Sequence, residues 1–303
     1  TREEAGPVVL GVEAENRLGA VSRDTRTVRV AAGALSVTSP DDRFPAALEI
    51  LLDMSGSMRE RISDGRRSRR KVEIARDVLR DFVRSVPDGR RIGLRVYGHD
   101  SPVRDRNCRD SRLLFPLDAP LDKKGREYLS NLLDNLHPSG WTPIAFALRA
   151  AQSDIPIQKG RRAGVIVLVS DGDETCGGDP CAAARDLARE TGGDVRVHVV
   201  GFRLARKEKA RGALRCIADA TGGVIMHADD GQALDAAIRS AVRVSYRVES
   251  RDGARTVGTG FINGPALAVP PGDWRVVTAT LPVVTKDVQI ALDRPTRVDL
   301  RLP

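Results

Sequence analysis

Short apolar runs alternate with longer amphipathic segments between residues 44 and 242. Four of the six runs are continuous and rich in Val, Ile and Leu, as in β-strands that are covered on both faces. They predict strands over Ala46–Asp53, Ile92–Gly98, Arg112–Leu117, Gly164–Asp171, Val195–Gly201 and Gly223–Met226.

The segments between these runs carry apolar residues at helical spacing. The pattern predicts helices over Lys71–Val86, Asp122–Leu136, Pro143–Ser153, Ala182–Thr191, Ala205–Thr221 and Gln232–Val242. The order of the elements predicts an α/β domain over residues 44–242, with a doubly wound, mostly parallel, Rossmann-like sheet and one antiparallel edge strand.

The two flanking regions show the period of β-structure. In residues 243–303, short strands with period two and turn residues between them predict a small C-terminal β-sandwich. In residues 1–43, two strands are expected over Val8–Ala14 and Thr25–Ala31. Two strands are not stable alone. They either complete the C-terminal sandwich, with the α/β domain inserted, or end an upstream Ig-like domain.

Oxygen-bearing side chains gather at the predicted strand ends. Asp53, Ser55 and Ser57 form a D-x-S-x-S motif after the first central strand, Thr142 lies just before a helix, and Asp171 ends another strand. Ligands of doubly wound sheets bind beyond the carboxyl ends of the strands. Two carboxylates and three hydroxyls form a hard, all-oxygen set that suits Mg²⁺, Mn²⁺ or Ca²⁺.

These motifs resemble those of the von Willebrand factor type A (vWA) domain family. The resemblance covers residues 44–242, and the five residues resemble the metal-ion-dependent adhesion site (MIDAS) of that family. Further similarity to bacterial exported members is carried by "VYGHD", "SDGDETCGGDPC" and "CIADATGG". The resemblance implies that Ser55, Ser57 and Thr142 offer hydroxyl oxygens to the metal, and that Asp53 and Asp171 act directly or through water.

The expected function is metal-dependent protein binding. A metal held mainly by neutral hydroxyls and water keeps its positive charge and attracts an anionic oxygen. We therefore expect Mg²⁺, or alternatively Mn²⁺ or Ca²⁺, to coordinate an Asp or Glu carboxylate of a protein partner. No enzymatic activity is expected, because neither a catalytic triad arrangement nor a Gly-rich phosphate loop is apparent.

Other interpretations stay open at this stage. Each site residue could serve structure alone, with Thr142 capping a helix that has Pro143 at its first position. The chain could also be an intracellular partner of an ATPase or chelatase-type complex, or a Mg²⁺-dependent hydrolase. His99 lies near the predicted metal face, and Asp173 and Glu174 could modulate the metal or fix their loop.

The cysteines bear on the compartment. Four are present, Cys108, Cys176, Cys181 and Cys216, and none forms a C-x-x-C pair. An even count fits two disulfides and an extracytoplasmic protein, whether secreted, periplasmic or at the cell surface. Three pairings are possible. We expect the disulfide pairs Cys108–Cys176 and Cys181–Cys216, since the first pair would lie on loops at the same sheet edge.

The chain is basic, with a net charge of +8. Clusters at residues 66–71 and 203–211 are either solvated faces or basic patches. Nucleic acid is not an expected partner, because aromatic residues make up only 4% of the chain. No membrane span is expected, since no apolar run approaches the roughly 20 residues that a membrane helix needs.

Overall fold

The computed structural model describes residues 7–15, 21–29, 32–39, 45, 47–65, 67–158, 160–204, 207–278, 284–292 and 294–301. Contacts divide the chain into two compact units. One is Arg43–Val244, and the other combines Thr1–Asp42 with Ser245–Pro303.

The strands and helices follow in chain order. The strands are β1 (Pro7–Glu15), β2 (Val21–Arg29), β3 (Gly33–Thr38), β4 (Leu48–Asp53), β5 (Arg61–Asp64), β6 (Arg67–Arg70), β7 (Ile92–Tyr97), β8 (Ser111–Phe115), β9 (Ile157–Gln158), β10 (Arg161–Arg162), β11 (Gly164–Ser170), β12 (Val195–Phe202), β13 (Ile225–Ala228), β14 (Ser245–Glu249), β15 (Thr256–Phe261), β16 (Leu267–Val269), β17 (Gly272–Thr278), β18 (Thr285–Ile290) and β19 (Thr296–Asp299). The α-helices are α1 (Lys71–Ser85), α2 (Lys123–Asp134), α3 (Ile144–Asp154), α4 (Pro180–Glu190), α5 (Glu208–Thr221) and α6 (Gly231–Ala241).

The larger unit is built on one six-stranded sheet, in the order β13-β12-β11-β4-β7-β8. All neighbours are parallel except β8, which runs antiparallel to β7 at the edge. The predicted α/β fold with an antiparallel edge strand is therefore confirmed.

Among the described helices, none is both long and apolar enough to cross a membrane.

The sheet is covered on both faces. Apolar residues of α1, α2 and α6 pack on one face, and those of α3, α4 and α5 pack on the other. Strand β4 serves both cores, because Leu48, Ile50 and Leu52 belong to the first cluster and Leu51 to the second. This two-sided burial explains why the central strands are nearly continuous apolar runs.

Several predicted boundaries shift where capping chemistry decides them. Helix α4 begins at Pro180 instead of Ala182, because Asp179 accepts the N–H of Ala182 and Pro occupies the first turn. Strand β13 begins at Ile225 instead of Gly223, because α5 ends with Gly222 in the left-handed region (φ 66°) and the chain must turn first.

Two short hairpins were absent from the prediction. Strands β5 and β6 form one and β9 and β10 form the other. The first lies partly in the basic cluster 66–71, and Arg61, Arg67 and Arg70 are exposed in it. The expectation of a solvated face is wrong for the last residue of that cluster, because Lys71 is buried.

The smaller unit is all-β. It contains a four-stranded sheet, β15-β14-β17-β18, a three-stranded sheet, β16-β3-β19, and the hairpin β1-β2. Strand β3 pairs antiparallel with β16 and parallel with β19. This is the contact between the N-terminal and C-terminal segments that the inserted arrangement requires.

His198 is a fully buried histidine in β12. Its Nδ1 accepts the backbone N–H of Val224 at 3.0 Å, so the neutral ring holds β12 to the start of the next strand. Burial, with a smaller contribution from Arg196, lowers the pKa of His198 to about 3. The unfolded chain takes up this proton near pH 6.5, and the folded chain does so only in stronger acid.

We expect His198→Asn to remove an acid-dependent loss of stability. Below pH 6.5 protonation favours the unfolded wild type, so its free energy of unfolding should fall relative to the variant as the pH drops. Between pH 7.5 and pH 5.0 the difference should change by about 2 kcal/mol in favour of the variant. Urea unfolding followed by helical circular dichroism measures this, and a pH-independent difference would contradict it.

Candidate metal centre

The predicted site residues meet at the topological switch point of the sheet. From β4 the chain first builds outward through β7 and β8, and then returns to place β11 on the other side of β4. Asp53 ends β4, and Asp171 directly follows β11. Loops from adjacent parallel strands diverge here and leave room for a ligand.

Asp53 is fully buried, and this chain supplies donors to both of its oxygens. Oδ1 accepts the backbone N–H of Ser55 at 2.9 Å, and Oδ2 accepts the hydroxyl of Ser170 at 2.8 Å. Burial raises the pKa of Asp53 to about 6, and the nearby charge of Asp171 adds to the rise. The two carboxylates therefore share one site and repel each other.

The serine hydroxyls connect the motif to Asp171. Ser57 Oγ lies 3.0 Å from Ser55 Oγ and donates to Asp171 Oδ1 at 2.6 Å. The D-x-S-x-S motif and Asp171 are thus joined by a direct hydrogen bond between residues that are 114 positions apart in the chain.

Thr142 is brought to the same place by backbone contacts with the loop after β11. Its N–H donates to Thr175 Oγ1 at 2.8 Å, and its carbonyl accepts the N–H of Thr175 at 3.2 Å. Glu174, and not Thr142, accepts the N–H of Ala145 in the first turn of α3. The helix-capping alternative for Thr142 is therefore wrong, since the cap comes from another loop.

Gly98 allows three loops to pack tightly at the site. It has φ +68°, and an added Cβ would lie 2.4 Å from the carbonyl oxygen of Trp141 and 2.9 Å from Ser55 Cα. Its own carbonyl accepts the N–H groups of Ser139 and Gly140. A glycine here lets the segments that carry Ser55 and Thr142 approach each other.

The site opens to solvent through a depression with a volume of about 400 Å³. The five residues do not share one role, since Ser55, Ser57 and Thr142 line the depression and the carboxylates of Asp53 and Asp171 lie behind them. The remaining lining residues are Gly56, Val103, Gly140, Trp141, Gly172, Asp173, Thr175 and Lys207. Of the five predicted residues, only the three that bear hydroxyl groups thus line the depression.

Two lysines that no sequence motif marked as site residues contact Asp171. Lys71 Nζ lies 2.8 Å from Asp171 Oδ2 and also pairs with Glu60. Lys207 Nζ donates to the main-chain carbonyl of Asp171 at 2.6 Å. Both lie in the basic clusters that the sequence showed, but sequence spacing gives no sign that they reach a residue so distant along the chain.

The other candidates have smaller roles in the geometry. The Nε2 atom of His99 lies 3.1 Å from Oδ1 of Asp100, and His99 does not line the depression. Glu174 fixes its loop, because one oxygen accepts from Ala145 and the other from Cys176. Asp173 lines the depression.

Two disulfides join distant segments of this unit. Cys108 is bonded to Cys176, which connects the loop before β8 to the loop after β11, and Cys181 is bonded to Cys216, which connects α4 to α5. The first bond ties together two loops that contribute Val103 and Asp173 to the depression. It therefore limits the motion of the rim.

The donor set fits a hard divalent cation that is not fully enclosed by protein carboxylates. Hydroxyl and carboxylate oxygens converge here, and these are the ligand atoms that Mg²⁺ and related cations prefer. Within the described ranges, no group of three or more His, Cys, Asp or Glu side chains converges to hold a metal. A cation at this place would depend on hydroxyls, water and an outside ligand.

We expect Gly98→Ala to destabilise the α/β unit. The positive φ and the contact with main-chain atoms leave no room for a methyl group, so the free energy of unfolding should fall by more than about 1 kcal/mol. Gly56→Ala is the matched control, since its added Cβ would meet nothing closer than 3.7 Å. Denaturant unfolding of both variants measures the effect, and equal stabilities would contradict the prediction.

Comparison with known proteins agrees with the fold. A family model described as "von Willebrand factor type A domain" matches residues 48–174. YwmC of Bacillus subtilis (strain 168), an uncharacterized protein, is 32% identical over 194 residues, which is 63% of this chain and 80% of YwmC. YwmD of the same organism is 30% identical, over 56% of this chain and 76% of its own length.

Solved structures show the same fold at low identity. A von Willebrand factor type A protein from Catenulispora acidiphila is 16% identical with a TM-score of 0.53, and the match covers 89% of this chain and 73% of that one. The pilus adhesin SpaC of Lactobacillus rhamnosus GG is 11% identical with a TM-score of 0.51, and the match covers 93% of this chain and 46% of SpaC. This chain thus spans about half the length of SpaC. From the fold, the family model and the similarity to YwmC, the chain belongs to the von Willebrand factor type A domain family.

Proposed function

We propose that this chain is a metal-dependent protein-binding module and not an enzyme. In this proposal Asp53, Ser55, Ser57, Thr142 and Asp171 hold a divalent cation, which attracts an Asp or Glu carboxylate of a protein partner. When bound, the cation supplies a positive charge with an exchangeable coordination position.

One observation carries the proposal. Hydrogen bonds from Ser55 and Ser170 hold Asp53, and Ser57 and Lys71 hold Asp171, while the hydroxyl-bearing residues line an open depression. A cation in this place would meet neutral oxygens first and the carboxylates largely through water. Its charge would stay available for an anionic ligand, whereas direct coordination by several carboxylates would neutralise it.

The preferred cation is Mg²⁺, with Mn²⁺ and Ca²⁺ as alternatives. Mg²⁺ keeps several waters and uses one or two carboxylates, which suits a site with two carboxylates held back by hydrogen bonds. Ca²⁺ takes more oxygen ligands in a looser arrangement and would need more of them from the partner.

The rim of the depression suits an acidic protein segment. Lys207 lies on it, held at the Asp171 carbonyl, and Trp141 and Val103 form an apolar side. The Trp141 ring is fixed, because its N–H donates to the carbonyl of Val103 at 2.7 Å and the Arg106 guanidinium lies 4.6 Å from the ring centroid. A carboxylate with an apolar neighbour would complement this surface.

The proposed location is extracytoplasmic. Two disulfides in one domain favour an oxidising compartment. The fold shared with a pilus adhesin agrees with this location. The same disulfides count against the alternative of an intracellular partner of an ATPase.

Metal binding is tested by calorimetric titration of Mg²⁺ and Mn²⁺ after chelator treatment. We expect the wild type to bind one cation. We expect Asp53→Ala and Thr142→Ala to bind none, because the first removes a buried negative charge behind the site and the second removes a hydroxyl ligand. Asp118→Ala, which removes an exposed aspartate, is the control and should bind like the wild type. A wild type that binds no cation, or site variants that bind normally, would contradict the proposal.

Partner chemistry is tested on an array of peptides centred on Asp or Glu, with each acid also changed to Asn or Gln. We expect the Mg²⁺-loaded protein to bind a subset of acidic peptides, and the amide versions and excess chelator to abolish binding. The physical reason is that a neutral amide lacks the charge that the cation attracts. Binding that is the same with chelator would argue against a metal-bridged contact.

A further inference from the structure

Lys71 is a buried cation directly behind the candidate metal site. Its side chain is only 1% exposed, and its Nζ lies 2.8 Å from Asp171 Oδ2. Its second partner, Glu60, is 60% exposed and lies on the solvent side of the pair. The lysine therefore connects a fully buried carboxylate to a surface carboxylate.

The hairpin β5-β6 fixes Lys71 in this position. Glu60 directly precedes β5 and Lys71 directly follows β6, and the N–H of Lys71 donates to the carbonyl of Glu60 at 3.0 Å. This bond extends the hairpin ladder in which Arg61 pairs with Arg70. Lys71 is thus held by main-chain geometry as well as by its ion pairs.

The charges around the site explain what this lysine does. Asp53 and Asp171 are fully buried at the ends of adjacent strands, so their two negative charges lie close together. The ammonium group of Lys71 lies against the buried carboxylate of Asp171 and pairs with Glu60 on its solvent side. One of the two buried negative charges is therefore offset by a cation of this chain.

We propose that Lys71 is a built-in counter-ion that keeps the site formed in the absence of metal and limits its affinity for a divalent cation. This inference rests on the proposed function. A fixed positive charge repels a divalent cation nearby, so the site binds metal more weakly than two carboxylates would without it. The bound cation is then less neutralised and attracts the partner's carboxylate more strongly.

Three variants test the inference. Lys71→Met removes the charge and keeps most of the side-chain volume, while Ser57 and Lys207 still hold Asp171. Glu60→Gln removes the negative charge of the exposed partner, so that Lys71 forms an ion pair with Asp171 alone. Lys123→Met removes the same charge from the exposed start of α2 and serves as the control.

The readouts are the melting temperature in chelator and the affinity for Mg²⁺ and Mn²⁺ by calorimetry. In Lys71→Met we expect a lower melting temperature in chelator, recovery on adding metal, and binding tighter by about tenfold or more. In Glu60→Gln we expect a melting temperature near that of the wild type and binding weaker by about threefold. Lys123→Met should match the wild type in both measurements.

Opposite changes in affinity are the result that a purely structural lysine would not give. If Lys71→Met binds metal no more tightly than the wild type, or if metal does not restore its stability, the inference is overturned while the proposed function stands. If Lys71→Met does not fold, unchanged or tighter binding by Glu60→Gln overturns the inference. Absence of metal binding by the wild type overturns the proposed function itself, and with it the role of Lys71 as a limit on affinity.

Discussion

The repulsion between two buried carboxylates is the constraint on which the rest of the site depends. Asp53 and Asp171 lie at the carboxyl ends of adjacent parallel strands, β4 and β11, with no exposure to solvent. Burial raises the pKa of Asp53, and the neighbouring charge of Asp171 raises it further. The fold offsets this cost with hydrogen bonds from serines, a main-chain N–H and the ammonium group of Lys71.

This arrangement separates two kinds of oxygen in the candidate metal site. The carboxylates supply negative charge from behind, and the hydroxyl-bearing residues line the depression in front of them. The loops are held by main-chain hydrogen bonds, by the close approach at Gly98 and by the Cys108–Cys176 disulfide. The site is therefore preorganised before any ligand arrives, and the entropy cost of ordering these loops is met by folding.

Much of the fold could be predicted because strand and helix periods are local properties of the chain. The continuous apolar runs indicated strands that are buried on both faces of the sheet. The D-x-S-x-S motif indicated a ligand site because it stands where a predicted strand ends. Capping decided the details that the period could not, as at Asp179 before α4 and at Gly222 after α5. The hairpin β5-β6 was missed because its strands carry mainly charged residues, which show no apolar alternation.

The sequence by itself determined the α/β class, the mostly parallel sheet with one antiparallel edge strand, and the five oxygen-bearing residues of the candidate site. Only the tertiary structure decided which of these residues face the depression, that Glu174 caps α3 in place of Thr142, and which cysteines lie close enough to bond. It alone placed Lys71 against Asp171, a contact across 100 residues of chain. The physical reason is that helix and strand periods are written in neighbouring residues, whereas the charge balance of a buried site depends on groups that only the folded chain brings together.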